Sequence, residues 1–179
     1  QPLPTFPEGF PKELLERFTE VTGRGVLCNL PYSGTEVIRD YGEESVHSGK
    51  VIVYTSADSV FQIAAHEQVV PLAELYGYCA TARALLQGEY GVGRVIARPF
   101  TEKDGSYVRI NGRHDYTFDA PDRSILECIS AAGQEVCAVG KITDIFNGKG
   151  ITSSVYTNGN DDGIYRTIEY MDSCQEGLI

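Results

Sequence analysis

The stretch VIVYTSADSVFQIAAHE, residues 51–67, constrains this chain more than any other part of it. Val-Ile-Val-Tyr-Thr is a β-branched and aromatic run that reads as a buried strand. Ser56-Ala57-Asp58-Ser59 interrupts it, and residues 60–65 are apolar again. Two hydroxyls and a carboxylate held between apolar runs need partners, because an unpartnered polar group beside a core costs free energy. Two readings follow. Either a bend in a sheet supplies the partners from backbone N–H groups, or the segment lines a small polar pocket for a polar ligand such as a sugar.

Helix and strand patterns surround this stretch. Residues 5–10 form a Pro- and Gly-rich loop, and Pro11 suits the first turn of a helix with Leu14, Leu15 and Phe18 on one stripe, ending at Gly23. Residues 26–28 are a short strand, 31–35 a turn with a helix N-cap, and 36–41 a short helix. Residues 50–55 form the central strand, with 61–65 its continuation or antiparallel return. Pro71 opens a helix carrying Leu72, Leu75, Tyr76, Cys79, Ala82 and Leu86 on one face. Residues 92–99 are a strand, and 107–110 pair across Asn111-Gly112, a favoured hairpin turn.

This order predicts an α+β fold, a small mixed or antiparallel sheet with flanking helices, over residues 1–118. From Asp122 the rhythm is that of an α/β segment: helix 124–132, strand 135–139, loop 147–163 and amphipathic helix 164–174. Gly177-Leu178-Ile179 resembles the start of a strand, and Gln1-Pro2 lacks an initiator Met. The expectation is an internal piece of a longer protein, with one domain over 1–118, its first ten residues a linker, and part of a second over 119–179.

Composition removes several function classes. With 42% hydrophobic and 22% charged residues the chain is globular, and no apolar run approaches the ~20 residues of a membrane helix. A net charge of −10 argues against nucleic acid as a partner, so any phosphate must be met by a few locally placed cations. The five cysteines are widely spaced with no C-x-x-C pair, which suggests reduced thiols in a cytoplasmic protein.

TSADSVFQIAAHE also resembles the corresponding segment of bacterial phosphopentomutases, members of the alkaline phosphatase superfamily. FPEGFPKELL, GRVIARPF with NGRHDY, and VGKITDIFNGKGIT match in the same order, so the resemblance runs over about residues 5–163. It implies interconversion of ribose (or deoxyribose) 1-phosphate and 5-phosphate through a phosphorylated Thr. It also implies two manganese ions held by Asp and His in a core domain, a sugar bisphosphate activator, and a cap domain that supplies the sugar-binding groups. On that resemblance residues 1–118 are the cap and 119–179 part of the core, whose remainder is a further partner. The matching substrate-binding positions are Ser56, Asp58, Val60, Arg94, Ile96 and Lys141. Asp58 and Ser56 can accept from sugar hydroxyls, Arg94 can grip a phosphate bidentately, and Lys141 adds a point charge.

Arg98, Arg109 and Arg113, with His114, make a second basic group. They line the phosphate rim of the same cleft, or they form ion pairs with Asp115 or Asp119. His47, His66 and His114 are far apart, with no H-E-x-x-H or D-x-x-x-x-H pattern. The family's metal ligands and phosphorylated Thr match no position, so no catalytic residue and no metal ligand is expected here, and no mutase activity from this chain alone. The alternative is a non-catalytic sugar-phosphate binding or regulatory module.

Two motifs are decoys. GVGRVIA, residues 91–97, imitates a dinucleotide-binding fingerprint, but the strand follows it instead of a helix. Residues 158–169 imitate an EF-hand loop, with Asn in place of the first Asp and no entering helix.

Overall fold

The computed structural model describes residues 3–118 and 123–179. The chain divides into two compact units, Gln1–Phe118 and Asp119–Ile179.

The first unit is an α+β layer built on β2 (Val51–Thr55) and β3 (Val60–His66), every residue of which is buried. Residues 61–65 are the antiparallel return of β2, with Val53 opposite Ile63. β1 (Val26–Pro31) runs parallel to β2, and β4 (Arg94–Lys103) runs parallel to β3. β5 (Ser106–Arg109) and β6 (His114–Thr117) both pair antiparallel with β4, at its two ends. The result is a six-stranded mixed sheet in the order β1-β2-β3-β4-β5, with β6 on β4.

Strand alternation divides the apolar residues between two faces. Val51, Val53, Phe61, Ile63, Val95 and Ala97 pack with Phe10, Leu14 and Phe18 around α1 (Lys12–Thr22) and with Leu75, Cys79 and Ala82 of α3 (Leu72–Leu85). On the opposite face Ile52, Tyr54, Ala64 and Phe100 pack against Val37 and Ile38 of α2 (Gly34–Ser48). One helix therefore serves a face that two helices cover on the other side.

Two local expectations are corrected. The tight hairpin is at Asp104-Gly105, not Asn111-Gly112. Both Asp104 (φ 52°) and Gly105 (φ 72°) adopt the left-handed conformation that a two-residue hairpin needs, and Lys103 pairs with Ser106. Asn111-Gly112 instead carries the chain from β5 to β6, which do not pair with each other. Helix α2 is also longer than the sequence suggests, because Gly42 does not end it. A Cβ there would collide with the Tyr107 ring, so this glycine lets β5 approach the helix closely.

The second unit is a three-stranded parallel sheet, β8-β7-β9, made of β7 (Glu135–Val139), β8 (Ser153–Val155) and β9 (Gly177–Leu178). Its helices are α4 (Ile125–Ala131), α5 (Ile142–Ile145) and α6 (Asn160–Ser173). Ser124 and Glu127 form a capping box that starts α4. Residues 147–163 are not wholly loop: β8 pairs in parallel with β7, and α6 starts four residues earlier than periodicity placed it. Asp162 and Glu169 both lie on α6 and pair with Arg166, so the calcium-loop imitation is a helix surface.

Candidate functional site

The unequal covering of the sheet creates a cleft. Along β4, Arg94, Ile96, Arg98 and Phe100 point to one face. Phe100 lies under α2, whereas Arg94, Ile96 and Arg98 line an open cavity of about 380 Å³. Neighbouring positions share that face by register: Val60 is opposite Arg94, Gln62 opposite Ile96, and Asp115 of β6 opposite Ile96 from the other side. The β2–β3 turn contributes Ser56 and Asp58, the start of α2 contributes Tyr32, Ser33 and Gly34, and Arg109 and Arg113 complete the lining.

The polar turn divides into two sets of residues. Thr55 Oγ1 donates to the Val60 carbonyl at 2.8 Å, Ser59 Oγ donates to the Pro4 carbonyl, and the Gly93 N–H donates to Ser59 Oγ at 3.2 Å. Those hydroxyls satisfy the bend. Ser56 and Asp58 face the cleft, where the contact of Asp58 is with Arg94, Oδ2 to Nη2 4.0 Å.

The arginines are held by the protein itself. Asp115 accepts from Arg113 Nε at 2.7 Å and Nη2 at 2.8 Å, a bidentate pair, and from Arg94 Nη1 at 3.4 Å. Burial alone would push the Asp115 carboxyl up, but the hydrogen bonds from Arg113 and the field of Arg113, Arg94 and Arg98 hold it below the ordinary carboxylate range. Arg98 Nε donates to Gln62 Oε1 at 3.2 Å, and burial lowers the Arg98 pKa from its usual value.

Arg109 reaches across Gly34: a Cβ at position 34 would collide with its guanidinium and stand 2.6 Å from Tyr54 Oη. The Tyr54 hydroxyl is buried with no hydrogen-bond partner among the described residues, and its burial pushes the phenol pKa up against the pull of Arg98 and Arg109. Four arginines and Asp58 thus line one concavity of an acidic chain, with Asp115 paired to two of those arginines. The N-terminus of α2, capped by Ser33 Oγ accepting from the Glu36 N–H, adds a further positive end.

Of the positions singled out in the sequence, Ser56, Asp58, Val60, Arg94, Ile96, Arg98, Arg109 and Arg113 line this one cleft. Lys141 lies on the second unit, at the N-cap of α5. Of the basic group, Arg113 forms an ion pair with Asp115, as does Arg94 beside it; the suggested partner Asp119 lies outside the described residues. Tyr32, Gly34 and Gln62 were missed, although Gln62 carried a signal as the lone polar residue within an apolar strand.

The residues present do not fit the pair of manganese ions implied by the resemblance. His66 is buried with its ring edge-on to Phe100 and Tyr107, His114 packs against Tyr76 and Tyr116, and His47 Nδ1 meets the Glu43 carbonyl on an exposed helix. Among the described residues no histidine joins a group of three metal-ligating side chains.

No protein-family model matches the chain. It is 59% identical over 178 residues to the phosphopentomutase of Lachnoclostridium phytofermentans, covering 99% of this chain. It is 55% identical over 179 residues to that of Caldanaerobacter subterraneus subsp. tengcongensis (100% of this chain), and 55% over 179 residues to that of Deinococcus radiodurans (99%). In each case the chain spans 46% of the relative's length.

Proposed function

Because this chain is phosphopentomutase-family sequence over its whole length, we propose that its first unit is a cap domain that recognises the pentose phosphate of such an enzyme. The second unit, which carries Lys141, belongs to the core domain in this reading. The observation that carries the proposal is the cleft itself, in which four arginines meet two aspartates within a chain of net charge −10. In this reading that surplus of two positive charges meets a phosphate dianion, and Ser56 and Asp58, which line the same cleft, accept from the sugar hydroxyls. Ribose 5-phosphate and ribose 1-phosphate, or their deoxy forms, are the proposed ligands.

The cap's contribution to reaction is positioning. Arg94, Arg98 and Arg109 hold the distal phosphate while Asp58 fixes the ring by its hydroxyls, so that the other end is presented in one orientation. In this reading the nucleophile and the manganese ligands are not among these residues, and the chain alone binds without turning over. The manganese and sugar bisphosphate of the family act, in this reading, with ligands outside these residues.

Titrating ribose 5-phosphate into the chain while following backbone amide resonances tests the reading. Shifts should concentrate on residues 32–34, 56–60, 94–98 and 109–115, and free ribose should produce much weaker ones. Equal responses to ribose and ribose 5-phosphate, or shifts elsewhere, would end the assignment. Turnover of ribose 1-phosphate by the pure chain with Mn²⁺ would overturn the claim that it is inactive alone.

A further inference from the structure

In the second unit, Glu135, Cys137 and Cys174 offer ligand atoms that all lie within 4.8 Å of one another. The grouping has a topological cause. Glu135 and Cys137 are two residues apart on β7, so both side chains leave the same face of the strand. Cys174 is the C-cap of α6, and the chain then turns into β9, whose Gly177 pairs with Glu135. The connection is pinned there: the Glu135 N–H donates to the Glu176 carbonyl at 3.1 Å, and Gln134 Nε2 donates to Glu176 Oε1 at 2.8 Å. Cys137 is buried, Cys174 half-buried and Glu135 exposed, so the group opens to solvent on its carboxylate side. Ser153 Oγ donates to Cys137 Sγ at 3.3 Å and fixes that thiol.

We propose that Glu135, Cys137 and Cys174 form a binding site for a soft divalent cation of the zinc class. Zinc takes thiolate at about 2.3 Å and carboxylate at about 2.0–2.2 Å in tetrahedral sites, which places ligand atoms about 3.5–3.8 Å apart. The observed ligand atoms lie no more than 4.8 Å apart, so the group closes in to reach that spacing. Two thiolates with one carboxylate favour zinc over the harder magnesium, calcium or manganese ions. The metal takes both cysteines as thiolates, so their protons must leave. Binding exchanges those protons for the metal, two sulfur–metal bonds and one oxygen–metal bond forming as two protons leave to solvent. The fourth position is left to water. Such an ion would tie the end of α6 to β7 and so brace the α6–β9 connection.

The test uses the whole chain, kept reduced, with Zn²⁺ for calorimetry and Co²⁺ as the spectroscopic probe. One ion should bind per chain with a sulfur-to-cobalt charge-transfer band, and buffers of different ionisation enthalpy should report about two protons released. Cys174→Ser should abolish the band, Glu135→Gln should weaken affinity by about ten-fold or more, and Cys128→Ser, on exposed α4, should change neither. Cys137→Ser replaces a buried group; if it does not fold, Cys174→Ser and Glu135→Gln decide the matter alone. A chain that shows no charge-transfer band, or a band that survives Cys174→Ser, overturns the proposal. So does equal alkylation of Cys174 with and without saturating Zn²⁺.

Discussion

Asp58 Oδ2 lies 4.0 Å from Arg94 Nη2, and their side chains are 76% and 41% exposed. A pair so long and so open to water contributes less than about 1 kcal/mol to folding. Neither group is consumed by the other, so both remain available to a ligand. The two come from different elements, a turn and a strand, and meet only because β3 and β4 run side by side in parallel.

In a phosphopentomutase carrying this segment, the two residues should fail differently. Arg94→Ala removes a phosphate grip made in ground state and transition state alike, and should mainly raise KM. Asp58→Ala loosens the sugar's orientation, and a displacement of about 1 Å can cost ~10²-fold in kcat. Denaturant titration of the Asp58→Ala chain should show stability unchanged to within about 0.5 kcal/mol. Unaltered kcat and KM in that variant would return Asp58 to the role of a turn residue.

Asp115 should be the carboxylate on which the arginine cluster depends. Its folded pKa lies below the unfolded value, so its contribution to stability is present above about pH 4, the unfolded aspartate range, and is lost as pH falls through the lower folded value. Denaturation midpoints measured from pH 5 down to pH 2 should therefore fall less steeply for Asp115→Asn than for the parent chain. The same substitution should reduce ribose 5-phosphate affinity at pH 7 by loosening Arg113 and Arg94. Parallel pH curves for the two proteins would contradict the assignment.

Gly34 and Gly77 make a matched pair for helix substitutions. Gly77 sits inside α3 with open space where a Cβ would stand, so Gly77→Ala should raise stability by about 0.5–1 kcal/mol. Gly34→Ala, at the start of α2, drives a methyl into the Arg109 guanidinium and toward Tyr54 Oη. It should displace Arg109 and weaken phosphate binding even where the fold survives. Unfolding curves and a ribose 5-phosphate titration of both variants separate the two effects.

Thiol chemistry should follow the fold. Cys79 is fully buried in α3 and burial pushes its pKa far up, whereas Cys128 is exposed. Alkylation of the native chain should modify Cys128 early and Cys79 only at the rate of unfolding. Modification of Cys79 before the unfolding transition would show that α3 opens locally.

Local sequence carried much of this structure. The apolar and β-branched runs at 51–55 and 60–65, the helical stripes of α1 and α3, and the capped start of α4 act through neighbours a few residues away, and each was legible. Choices between competing local signals were not. Asp104-Gly105 and Asn111-Gly112 are both good turn dipeptides, and only the pairing of β5 and β6 with opposite ends of β4 decides which closes a hairpin. Gly42 weakens a helix in isolation, yet the ring of Tyr107 makes it the residue that fits.

The cleft is the clearest case of what tertiary structure alone decides. Nothing local to Arg94, Ile96 and Arg98 distinguishes them from Phe100 on the same face of β4. What differs is that α2 covers Phe100 and stops short of the others. Burial by a helix distant in sequence is a long-range packing outcome. It brings Ser33 to the arginines, while strand register brings Gln62 and Asp115, just as the α6–β9 turn brings Cys174 to Cys137. Sequence determined which side chains could do chemistry; strand register and the packing of α2 against half a sheet decided which of them meet.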